Sequence, residues 1–350
     1  MSDRPRVFAL NLHANYACRH SGACCTAGWV IPVEPDRRPR LGGEVLLPDA
    51  HGACVFYDRP SKLCTVHRDY GDIGLPDSCF HFPRRALVDD RGVFVTLSHF
   101  CPTAAALVVS TTERPAIVEA PPAFPASRRY DGLDGRGAWP PLVRPNLLFD
   151  LASYTRWESY VIDTLGDSDV STAVAVARLA DAAELLRMWT PAMGSLEDAV
   201  AALTVREDLS RSPAIHNRYS RFQMAETYNH ILEFIPDGLR RPPPANREAS
   251  LSDWDWAQGG GAAKRYLAAK AFGSWAAYEA RGVRTLVAEL IATELVLKVE
   301  VARIKSQRST CVDEAMMIDA VRAADWLLVH LVDRTQMMRW LGQVEDDQRS

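Results

Sequence analysis

Beyond about residue 146 apolar side chains recur every three to four positions, whereas before it they come in short, irregular runs. The 3.6-residue period predicts helices over 147–165, 170–189, 196–205, 215–235, 254–280, 283–304 and 312–340. In the sixth, Val283, Leu286, Val287, Leu290 and Ile291 make one apolar stripe, and in the last Met317, Ala320, Val321, Ala324, Leu328 and Leu331 do the same. Two start signals place a hydroxyl three residues before a carboxylate, in Ser195-Leu196-Glu197-Asp198 and Thr310-Cys311-Val312-Asp313. The run Arg240-Arg241-Pro242-Pro243-Pro244 splits the helical region into two halves. Gly259-Gly260-Gly261 lacks a preceding strand and the dinucleotide glycine spacing, so it predicts a flexible break between helices. The Trp254-Asp255-Trp256 before it is a candidate pocket lining.

The first third predicts loops with strand-type runs at 29–33 and 92–97, the second preceded by a turn at Asp89-Asp90-Arg91-Gly92. Such pieces bury little apolar surface on their own, and a metal would supply the missing crosslinks. Seven prolines between 115 and 145 predict a surface connector with no regular element. The expected fold is therefore mostly α: a small, irregular, metal-stabilised Cys-rich module with short strands over 1–114, a Pro-rich connector over 115–145, and an α-helical, bundle-like region over 146–350.

Composition narrows the function classes. In 350 residues, 47% are hydrophobic and 24% charged, with a formal net charge of −4, so there is no bulk electrostatic drive toward nucleic acid. No apolar run approaches the roughly 20 residues that span a bilayer, so no membrane partner is expected. The apolar run at 7–10 is too short for an export signal, which makes the cytoplasm the expected location.

Of eight cysteines, seven (Cys18, Cys24, Cys25, Cys54, Cys64, Cys79 and Cys101) fall within the first 101 residues, and only Cys311 lies beyond. In a reducing compartment a disulfide framework is disfavoured, and seven is an odd count. Gathered thiols then point to zinc or an iron–sulfur cluster, both of which prefer sulfur. The spacings exclude a Cys-x2-Cys zinc finger, a four-cysteine ferredoxin run and a radical-type Cys-x3-Cys-x2-Cys, so the fold must assemble the ligands from separate segments. A 4Fe–4S core or one zinc takes four thiolates and leaves three cysteines for a second metal or a redox-active thiol. His67, His81 and His99, each close to a cysteine, are candidate ligands or hydrogen-bond partners of bound sulfur. Arg84 is a candidate counter-charge for the centre, an anion contact or a surface ion pair. Cys311 reads as an inert structural thiol in the first turn of the last helix.

Four segments together, Cys18…Cys24-Cys25, Cys54…Leu63-Cys64-Thr65-Val66-His67, Cys79-Phe80-His81-Phe82-Pro83-Arg84 and Cys101-Pro102, resemble the YkgJ-type cysteine-cluster family of zinc- or iron-chelating proteins. With Trp29 and the stretch around Tyr266-Leu267 and Phe272, they resemble more closely its flagellin lysine-N-methylase-like branch. Ser21 stands where many members of that family carry a further cysteine. The resemblance implies that the seven clustered cysteines hold zinc or a 4Fe–4S cluster. It also implies, as alternatives, a redox protein using the cluster, or S-adenosylmethionine-dependent methyl transfer to lysine on a flagellin-like protein substrate. The Gly-rich loop usual for S-adenosylmethionine is not found in the sequence.

Overall fold

The computed structural model describes residues 5–205, 224–236, 253–308 and 311–346. The chain is mostly helical, as the periodicity predicts, but its front third is better ordered by strands than expected. Five strands, β1 (Val7–Leu10), β2 (Arg84–Asp89), β3 (Gly92–Leu97), β4 (Ile117–Glu119) and β5 (Gly132–Asp134), form one sheet in the order β4-β1-β3-β2-β5. The hairpin β2–β3 is antiparallel, with Arg84 opposite Leu97 and Asp89 opposite Gly92, while β1 on β3 and β5 on β2 are parallel. The segment 115–145 is thus not a bare connector: it contributes both edge strands. Its prolines fall outside those two strands, where the missing N–H costs the ladder nothing.

Alternation along the strands decides which face meets the helices. Val7, Ala9, Ala86, Val93 and Val95 make a small cluster with Ala120 and Ala123, whereas Leu10, Leu87 and Phe94 join the main core. That core is built by α1 (Pro102–Val109), α2 (Leu151–Gly166), α3 (Thr172–Met188), α4 (Met224–Glu233), α5 (Asp253–Ala271), α6 (Val283–Arg308), α7 (Glu314–Asp325) and α8 (Arg334–Asp346). Side-chain caps close their entrances where sequence supplies an oxygen: Asp150 accepts from the Ser153 amide (2.8 Å), and Ser195 from the Asp198 amide (3.0 Å) at the start of a short helix, Leu196–Ala201. The α7 entrance differs from the expectation. Asp313, two residues beyond Cys311, accepts from the Met316 amide (2.7 Å), so Cys311 lies outside the helix and is exposed.

The hub is α6, which touches α3, α4, α5, α7 and α8. One apolar stripe would not serve that position, and the helix is buried on several sides, with Val283, Val287, Leu290, Val296, Leu297 and Val301 all inside. Two predicted boundaries shift. The glycine triplet sits within α5 and makes no break; a Cβ on Gly259 would meet Met317 Sδ at 2.7 Å, so that glycine permits close packing against α7. The real break follows at Gly273, whose φ of +57° and approach to Phe94 turn the chain against β3. The last predicted helix divides into α7, a six-residue π-helical segment (Trp326–Leu331), and α8. The predicted 215–235 helix is described from Met224 on, and the 240–244 break lies outside the described residues.

Candidate functional site: a convergent thiol cluster

The cysteine-bearing segments form a thin layer of turns and two-residue strand pairs around a small apolar nucleus of Ile31, Val33, Leu41, Leu46 and Val66. Local chemistry sets the geometry of each arm. Gly22 adopts φ +71°, and a Cβ there would meet Lys62 O at 2.5 Å and Tyr57 Cε2 at 2.9 Å, so only glycine lets this loop lie against the Tyr57–Cys64 hairpin. A tight turn over Ala23–Thr26 then presents Cys24 and Cys25 in succession. The Cys54 amide donates to Cys25 O (2.7 Å), which joins the first two thiol-bearing segments through their backbones. Cys64 ends the hairpin and precedes a one-turn helix, Thr65–Tyr70, whose Val66 and His67 amides point at its sulfur.

Five thiols gather here. Cys25 lies near enough to Cys24 and Cys64 to perturb both thiols, and Cys54 and Cys79 lie within the electrostatic reach of Cys24 and Cys64. All are free. Hydrogen bonding from Cys25 pulls the Cys64 thiol down to about 6, against the opposing effect of burial; Cys25 itself is pushed up by Cys24 and Cys64. Burial also raises Cys54 and Cys79. Cys18 is linked electrostatically to both Cys24 and Cys101, and Cys101 lies 3.6 Å from Tyr16 Oη, so the seven cysteines form five that converge and two at their flank.

The donor set suits a soft cation by its chemistry. As the side chains stand, however, no group of three or more His, Cys, Asp or Glu among the described residues is disposed to hold a metal ion. Metal stabilisation of the module is therefore not shown. The candidate histidines have other partners: His67 meets Asp72 (2.9 Å) and stacks on His20, His81 stacks on Tyr130 with centroids 3.7 Å apart, and His99 Nε2 faces His13 Nε2 (3.2 Å). Arg84 lies over the Tyr16 ring. Trp256 is half-buried against the core with Lys298 over its ring.

A second polar centre is absent from the sequence reading. Asp325, fully buried at the end of α7, accepts from Ser98 Oγ (2.9 Å), the Phe100 amide (3.2 Å), Tyr266 Oη (3.2 Å) and Lys270 Nζ (3.2 Å). Burial opposes its charge, yet Lys270, followed by His99 and His330, holds the carboxyl well below the usual carboxylate range. Ser98, His330 and Asp325 resemble a hydrolytic triad in composition, but the wiring differs. Asp325 can only accept, so Ser98 gives its proton to Asp325 and receives one from His330 Nε2 (2.7 Å); the imidazole is not a base for the hydroxyl. Ser98 is also buried. The cluster ties the loop after β3 to α5 and α7. Its signal was available in the sequence: Asp325 interrupts the apolar stripe that includes Val321 and Leu328.

Between the two centres lies a knot of five rings. Trp29 has its ring centroid 5.0 Å from Phe82, 5.6 Å from Phe100, 5.7 Å from Trp326 and 4.9 Å from His330. No family model, curated protein or solved structure matches this chain.

Proposed function

We propose that this chain is a metal-binding cysteine-cluster protein, with zinc or an iron–sulfur cluster held by sulfur from Cys24, Cys25, Cys54, Cys64 and Cys79. One observation carries the reading: five free thiols from three separated segments gather at one place in a chain whose remaining described cysteine outside the module, Cys311, stands alone and exposed. A bound cation would replace the thiol protons, and four of the five thiols would complete a tetrahedral zinc site or a 4Fe–4S core. The protein's part is to bring the arms together, with Gly22 and the Tyr57–Cys64 hairpin fixing two of them. Cys18 and Cys101 flank the site and are spared for a separate role. The motif resemblance to YkgJ-type proteins supports the same reading; lysine methylation with S-adenosylmethionine rests on that resemblance alone.

The test is elemental analysis and visible spectroscopy of the full chain purified with and without oxygen. Stoichiometric iron with visible absorbance that bleaches on reduction, or stoichiometric zinc in a colourless protein, is expected. Cys24→Ser and Cys64→Ser should lose the metal and Cys311→Ser should keep it. Equal metal content in all three, or metal-free wild type from both preparations, overturns the proposal.

A further inference from the structure

The five rings around Trp29 do not belong to a single part of the chain. Trp29 follows the Cys24-Cys25 pair by four residues, Phe82 follows Cys79 by three, and Phe100 directly precedes Cys101. Trp326 and His330 come from the π-helical segment more than 200 residues away. Trp29 sits among the other four, and Phe100 also packs on Trp326 with centroids 4.6 Å apart. Three cysteine-bearing arms are thus held against the helical body by one aromatic contact set. The body side of that set is rigid: His330 donates to Ser98, whose hydroxyl is bound to fully buried Asp325, and Asp325 also accepts the Phe100 amide. Beyond that set the arms rest on two-residue strand pairs, a small apolar nucleus and, at the Cys79 arm, polar ties in which the Asp77 amide donates to Glu34 Oε1 (3.2 Å) and Arg128 donates to Leu75 O (2.8 Å); none of these reaches the helical body through α7.

From this geometry we infer that Trp326 and Trp29 are positioning residues for the thiol centre: the ring knot sets the spacing of the Cys24-Cys25 and Cys79 arms before a metal arrives, so the helical region raises metal affinity without supplying a ligand. The inference rests on the metal-binding reading. Preorganisation of ligands by groups that do not touch the metal commonly changes metal affinity by about 10- to 100-fold. Linkage makes the effect reciprocal, so metal binding in turn tightens the docking of the arms.

Cobalt(II) titration of the chelator-treated, reduced full chain, followed by thiolate-to-cobalt charge-transfer absorbance, tests it. Trp326→Ala is expected to weaken cobalt binding at least tenfold, Trp326→Phe to recover most of the loss, and Trp139→Ala, at an exposed ring, to leave affinity at the wild-type value. Circular dichroism confirms that each variant retains its helices; should Trp326→Ala fail this check, Trp29→Leu replaces it, with the same expected tenfold loss. Cobalt bound by wild type and by these folded variants with equal affinity overturns the positioning role while leaving the metal reading intact. A wild-type chain that takes up no cobalt overturns both.

Discussion

The thiol cluster and the Asp325 cluster solve the same problem, polar groups drawn out of water, in opposite ways. Asp325 lies where sheet and helices meet, and its carboxylate receives four donors, two from α5 in the main core and two from the loop that directly follows β3. The thiols are carried by short turns, and what they find are mainly one another. A satisfied network makes its surroundings rigid, whereas thiols on short arms have no such fixed set of donors around them. The difference teaches where each centre's stability would reside: for Asp325 in the fold itself, and for the sulfurs, under the metal-binding proposal, in the ion they would take.

The largest test of that contrast is Asp325→Ala, which strips the counter-charge from Lys270 and leaves Ser98 and the Phe100 amide without their acceptor. A loss of about 3–5 kcal/mol in chemical denaturation is expected, the usual cost of breaking one side of a buried pair. A loss below about 1 kcal/mol would show that the cluster does not hold the loop after β3 to the helices.

Acid reaches the same region more gently. Burial lowers His330 to about 4 from its ordinary 6.5, and burial and His99 lower His13 as well. A histidine whose folded value is depressed gives the folded state fewer protons than the unfolded chain between those values, so its stabilisation is present above about 6.5 and is lost as pH falls toward about 4. Denaturation midpoints should therefore decline across that window, before the carboxylates of the ion pairs titrate. In His330→Gln, which keeps a side-chain amide near Ser98, the decline should be shallower.

Gly22→Ala asks how tightly the module is drawn together. The left-handed φ and the 2.5 Å approach to Lys62 O predict a cost of about 1–2 kcal/mol and a displaced Cys24-Cys25 arm. The same substitution at Gly42, also left-handed but with open space around its Cβ, separates backbone strain from the clash, and should cost less.

How much of each region the sequence discloses follows from the same physics. The seven clustered cysteines were legible because sulfur is rare and its clustering needs a reason, and the helices were legible because burial imposes a period. The edge strands at Ile117–Glu119 and Gly132–Asp134 were hidden, since three residues cannot display alternation and the prolines around them argue for loop. The Asp325 network was hidden in a different way. Its members stand at 98, 266, 270, 325 and 330, and only the fold makes them neighbours, although a carboxylate within an apolar stripe was a fair warning. The helix predicted over 312–340 ran through that warning and missed the π-helical segment beside it.

The smallest expected effect sharpens the comparison most. In the chelator-treated, reduced chain, Cys64→Ser replaces a half-buried thiol with a hydroxyl of nearly the same shape, and the sulfur network it leaves is weakly hydrogen-bonded. Serine can accept the Val66 and His67 amides and the Cys25 proton that Cys64 now accepts. The change should thus cost only about 0.5–1.5 kcal/mol, the net worth of an ordinary hydrogen bond. The same variant compared with metal-loaded wild type should differ by much more, because the ligand's contribution is then in the folded state and absent from the mutant. Equal losses with and without metal would mean that the thiols stabilise the module through contacts within the fold alone, as the groups around Asp325 do, and the two regions would no longer differ in kind.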